Sequence, residues 1–186
     1  MNNEVKNSDT ISVKKLRTDN KIIKITSTAI FATLIAIMTA YVCHIPLPSS
    51  GGYIHIGDSL IYLAASVLAK PYAMLAAAIG GAMADLLTAP MWIVPTFIIK
   101  ALIVIPFSNK GNKILSKRNI LATVLAFIIS TVGYYIASKF FFGSSVAFVA
   151  SLVASFMQGA GSAIVYIFIS KALDKGNIKN RIFKFK

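Results

Sequence analysis

Charge in this chain is confined to a few short segments, and long apolar runs fill the stretches between them. Runs at about 22–43, 71–88, 91–107, 120–141 and 145–173 have membrane-crossing length, since a bilayer core takes roughly 20 apolar residues per helix, with a range near 17–25. A sixth run, 54–69, is shorter and polar at its start. The 19 basic and 6 acidic residues make up only 13% of the 186-residue chain. An average soluble domain carries about 25%. So few charges, crowded into the termini and one loop, cannot coat a water-soluble surface. The expected fold class is an all-α integral membrane protein with six transmembrane helices.

The position of the charges sets the orientation. Lys6, Lys14, Lys15, Arg17, Lys21 and Lys24 precede or open the first run. Lys70 lies between the second and third, and Lys110, Lys113, Lys117 and Arg118 lie between the fourth and fifth. Lys171, Lys175, Lys179, Arg181, Lys184 and Lys186 close the chain. With six spans all seventeen fall on one side, which the positive-inside rule makes cytoplasmic together with both termini. The outer connections hold only Lys139, and Lys100 lies within a span. The formal charge of +13 therefore marks contact with an anionic inner leaflet, and nucleic acid is not an expected partner. The expected organisation is a basic cytoplasmic N-terminal segment (1–21), a membrane domain (22–173) and a basic cytoplasmic tail (174–186). The single cysteine, Cys43, excludes an intrachain disulfide framework. The N-terminal stretch does not fit a cleavable signal: its polar lead is too long and no small-x-small site follows the apolar run.

Ionisable groups inside a span are costly, so each is a functional candidate by default. Asp58, Asp85 and Lys100 are three such groups. At 1.5 Å per residue, Asp58 sits roughly 6 Å inside the outer end of the second span, Asp85 lies at a similar depth, and Lys100 lies roughly 13 Å down the fourth. All three belong to the outer half. Residues three and four apart share a helix face. That spacing gives the stripes His55, Asp58, Ser59, Tyr62, Ser66; Trp92, Thr96, Lys100; Thr131, Tyr134, Ser138; and Ser151, Ser155, Gln158, Ser162, Tyr166. The stripes imply either a shared polar cavity or interhelical hydrogen bonding. Rings at Tyr62, Trp92, Tyr134 and Tyr135, with His55, suit stacking on a flat heteroaromatic compound. The expected substrate-binding residues are His55, Asp58, Tyr62, Asp85, Trp92, Thr96, Lys100, Tyr134 and Gln158.

The connection 44–53 has stiff prolines at its start and loose glycines at its end. It serves either as a tight turn or as a lid over an outward-facing site, with Pro48, Gly51, Gly52 and Tyr53 as the lid residues. Thr28, Ala32, Ala36 and Ala40 recur every four residues, a strip that admits close helix approach from within the chain or from another subunit. No P-loop, metalloprotease helix or nucleophile elbow occurs, and no metal site or cofactor is expected.

The segment Gly52-Tyr-Ile-His-Ile-Gly-Asp58, the following Leu-Ile-Tyr-Leu-Ala-Ala, Gly80-Gly-Ala-Met-Ala-Asp85 and Pro95-Thr-Phe-Ile-Ile-Lys100 resemble the S components of energy-coupling factor (ECF) vitamin transporters, in the branch with riboflavin-, pyridoxine- and hydroxymethylpyrimidine-type members. The likeness covers residues 25–173 in topology and is sharpest over 50–101. It implies a bacterial plasma-membrane subunit without its own ATPase. Such a subunit captures a vitamin-like compound from outside and works with a membrane T component and two cytoplasmic ATPase subunits. The family's alanine strip contacts the T component; Ala32 and Ala36 match it, and Ala40 continues it. The alternative is a self-contained secondary transporter using Asp58 or Asp85 as its proton site.

Overall fold

The computed structural model describes residues 2–42, 44–47, 52–142 and 146–182. Helix α1 (Asn2–Tyr41) leads into a short antiparallel hairpin, β1 (Ile45–Leu47) and β2 (Gly52–Ile54). Helices α2 (Asp58–Val67) and α3 (Lys70–Thr88) follow, then a 3-10 turn (Pro90–Trp92) and α4 (Ile93–Leu102). Two long helices, α5 (Lys117–Phe142) and α6 (Val146–Lys175), and the short α7 (Ile178–Ile182) complete the chain.

Four of these helices are long and apolar enough to cross a membrane: Asn20–Tyr41 of α1, α3, Lys117–Phe141 of α5 and Ser155–Lys175 of α6. Two apolar helices are shorter, Asp58–Val67 and Pro90–Leu102. The exterior supports a lipid setting: Ile30, Ile37, Leu86, Val94, Leu121, Ile136 and Phe168 all point outward. In water such a surface would be a large adhesive patch. The interior instead gathers polar groups, including Asp58, Lys100, Asn119 and Gln158.

Three departures from the sequence expectation have physical causes. The connection between the first two apolar runs is a hairpin, pairing Ile45 with Ile54, Pro46 with Tyr53 and Leu47 with Gly52. Isoleucine and tyrosine favour strand geometry. Gly52 and Tyr53 of the expected lid thus form β2, whereas Pro48, Gly51 and Cys43 lie outside the described residues. Second, Asp58 is the first residue of α2, with Gly57 as its N-cap, so it is not a full turn inside that helix. The 54–69 run is helical only over its central part because β2 takes its first residue. Third, the 91–107 run is helical only through Leu102 and continues as turns. Pro71 stands in the first turn of α3, where its missing N–H costs nothing.

Helix α3 is the packing hub, with α1 and α4 against it. Its adjacent glycines make both approaches possible. A methyl on Gly80 would come within 2.6 Å of the Ala32 carbonyl oxygen of α1. A methyl on Gly81 would come within 2.8 Å of Lys100 Cγ and 3.0 Å of Thr96 Cγ2 on α4. The first glycine seats α1 and the second seats the aliphatic stem of Lys100.

Candidate binding site

The start of α2, the middle of α6 and the last turn of α4 converge on one carboxylate. Lys100 Nζ donates to Asp58 Oδ1 at 2.6 Å, and Gln158 Nε2 donates to Asp58 Oδ2 at 2.9 Å. All three side chains are buried. Lys100 belongs to α4, beyond the reach of a short side chain, and its flexible stem spans the gap to α2. The ammonium also sits 5.5 Å from the centre of the Tyr134 ring on α5, a cation–π contact. Tyr134 OH and Thr96 Oγ1 are 3.0 Å apart. The Trp92 ring meets Tyr134 edge-on at 5.8 Å and Phe141 at 5.6 Å. Asp85, buried on α3, lies within electrostatic range of both Lys100 and Tyr134.

His55 is buried between the hairpin and α2, and its Nδ1 accepts the Gly57 backbone N–H at 2.9 Å. That bond places the ring proton on Nε2. His44, before β1, reaches the Thr39 carbonyl oxygen of α1 at 3.3 Å. The hairpin is thereby tied to the bundle at both ends.

Asp58, Thr96, Lys100, Tyr134 and Gln158 therefore form one connected layer, with Trp92 on its aromatic side. Asp85 acts on this layer through its charge, and His55 borders it in sequence and in field. Tyr62 does not share the layer's aromatic wall. It stacks on Phe107 at 5.1 Å and meets Tyr166 edge-on at 5.9 Å, so its ring belongs to packing further along α2. Of the alanine strip, Ala32 and Ala40 are buried in this chain's own interior, and only Ala36 is partly open.

A second polar cluster gathers Ser66 and Tyr166, members of two stripes, around Asn119, which the sequence patterns did not mark. Asn119 of α5 donates to Ile114 O (2.9 Å), Ser108 O (3.0 Å) and Ser66 Oγ (3.2 Å), and accepts from Ser108 N (2.9 Å). Ser66 Oγ and Tyr166 OH are 2.8 Å apart. Asp174 accepts the N–H groups of Ile114 and Leu115 at 2.7 and 2.9 Å. Asp174 is the single acid in the basic C-terminal stretch, which is the sequence signal that marks it. Gly81 carried less signal, because it sits in a run of small residues that reads as general tight packing.

Helices α2 and α6 join these clusters. Asp58 pairs with Gln158, and eight residues later on each helix Ser66 pairs with Tyr166. Equal steps in the same sense mean that the two helices run parallel, with rungs about 12 Å apart.

A family model described as "ECF-type riboflavin transporter, S component" matches residues 19–175. An uncharacterised protein in the gap 3′ region of Pyrococcus woesei is 31% identical over 108 residues, covering 57% of this chain and 72% of that protein.

Proposed function

This chain belongs to the family of ECF-type riboflavin transporter S components, and from that premise we propose that it captures a vitamin or vitamin precursor, a small polar heteroaromatic, from outside the cell. Family membership makes it a substrate-binding transporter subunit of the membrane and not itself an enzyme. The finer reading rests on the Asp58–Lys100–Gln158 convergence. Charged and amide groups from three helices meet beside an aromatic wall, in a molecule whose exterior is apolar. Intramembrane charges kept at such cost serve function by default. The ligand site we propose comprises Asp58, Asp85, Trp92, Thr96, Lys100, Tyr134 and Gln158, with His55 beneath the hairpin. The hairpin, with Pro48, Gly51, Gly52 and Tyr53, acts as its lid.

Energy comes from elsewhere in this proposal: a membrane T component and two cytoplasmic ATPase subunits drive import. The proposed topology has six spans, with the short α2 and the Pro90–Leu102 segment counted as spans and both termini cytoplasmic in a bacterial plasma membrane. The parallel course of α2 and α6 supports it, because second and sixth spans must run in the same direction. The proposed docking face for the T component centres on Ala36, since Ala32 is committed to Gly80. Ala36→Leu should reduce co-purification of the partner subunits while leaving ligand binding intact, and undiminished co-purification would dismiss that face.

The substrate proposal is tested by extracting the purified protein and identifying the released compound by mass spectrometry. A small heteroaromatic compound is the expected result. Release of lipid alone, with no binding in a vitamin screen, would refute the proposal.

A further inference from the structure

Each Asp58 oxygen already holds a protein donor, so a ligand donor that takes either of these positions displaces its holder. The two donors are not equivalent. Lys100 is a buried cation whose removal leaves two uncompensated charges, a strongly destabilising event. Gln158 is neutral, and replacing one neutral donor by another is close to an even exchange. Gln158 is also the most exposed of the three, at 7% against 2% for Asp58 and 1% for Lys100. One turn further along the same face of α6, Ser162 Oγ is fully buried and has no hydrogen-bond partner among the described residues. A second polar atom near the exchange point thus has a waiting partner.

We propose that the Gln158 carboxamide is a stand-in for substrate: a non-anionic ring compound bearing an N–H or O–H donor at its edge takes its place on Asp58 Oδ2, while the Lys100–Asp58 pair persists. This rests on the Asp58 layer being the ligand site. It adds the class of substrate and gives Gln158 the role of competitor, not holder. The charges of the layer exclude an anion. An anionic ligand would meet Asp58 and Asp85, while Lys100, the layer's one cation among the described residues, is already paired. The aromatic side of the layer, Tyr134 with Trp92, suits a ring.

A competitor and a holder predict opposite signs. The test titrates the full-length, detergent-purified protein and its Gln158→Met variant with riboflavin, pyridoxine and 4-amino-5-hydroxymethyl-2-methylpyrimidine, each of which carries such donors. Whichever compound binds the wild type should bind Gln158→Met more tightly, by about tenfold if one hydrogen bond's worth of competition is removed. Should that variant fail to fold, Gln158→Asn is used, whose shorter amide retreats from Asp58, and the same gain is expected. Unchanged or weaker binding in the folded variant overturns the exchange role while leaving the site in place. If no compound binds wild type or variant, the ligand reading falls, and the exchange role falls with it.

Discussion

Two buried polar clusters share the same pair of helices, yet they are built differently. One, around Asn119, is neutral at its centre and anchored mostly to backbone carbonyls and N–H groups of residues 108–115. The other, around Asp58, is charged and made of side chains meeting side chains across α2, α4 and α6. Backbone partners fix a loop in a single place. Side-chain partners on separate helices can be exchanged when a competing donor arrives. On the proposed reading, the Asn119 cluster is a clasp that holds the 103–116 connection and the Asp58 cluster is the layer that binds.

Removing Lys100 should have the largest effect on this contrast. Lys100→Met strands a buried carboxylate and should cost about 3–5 kcal/mol, read as a drop in thermal unfolding temperature in detergent. Adding Asp58→Asn should recover much of that loss. A single variant as stable as wild type would mean that the pair is not the organising contact. Next comes the clasp. Asn119→Ala leaves the Ser108 carbonyl and N–H without their amide partner, while Tyr166 still donates to the Ile114 carbonyl, and should cost about 3 kcal/mol, at roughly 1–3 per orphaned group. Its ligand affinity should match wild type, and a parallel loss of affinity would erase the distinction between the clusters. Gly81→Ala forces a methyl against Lys100 Cγ and Thr96 Cγ2. Overpacking of this kind costs about 1–3 kcal/mol, and the shift of Lys100 should lower affinity as well as stability. A stable Gly81→Ala protein with full affinity would show that the stem of Lys100 does not need that slot.

The smallest expected effect is a pH dependence at the clasp. Lys179 on α7 is buried and donates to the Lys113 carbonyl at 3.3 Å. Burial holds its ammonium below the ordinary lysine range, partly opposed by Asp174. The unfolded chain then binds more protons in the window between the depressed value and the ordinary one near 10.4, so stability rises with pH through that window. Thermal unfolding followed from about pH 8 to pH 10 should show a slightly steeper rise for wild type than for Lys179→Gln. Identical slopes would remove Lys179 from the account.

Much of this was legible in the chain itself. Lys100 and Asp58 stand out because charges are rare in apolar runs, and the i, i+4 stripe placed Gln158 on an inward face before any contact was known. Periodicity gives faces but not partners, so the joining of Gln158 to Asp58, one hundred residues away, needed the fold. The same limit assigned Tyr62 to stacking on a ligand, when Phe107 takes that role. Helix starts were misplaced where strand-forming residues such as Ile54 sit inside an apolar run. Ala32 and Ala40 fit a docking strip equally well from inside or outside the chain, and only the approach of Gly80 shows that Ala32 is used internally.

The most direct test of the Asp58 layer as the binding site is native mass spectrometry of wild type, Asp58→Asn and Asn119→Ala purified side by side. The account predicts a small heteroaromatic compound retained by wild type and Asn119→Ala and lost from Asp58→Asn. Retention by Asp58→Asn, or loss from Asn119→Ala alone, would contradict it.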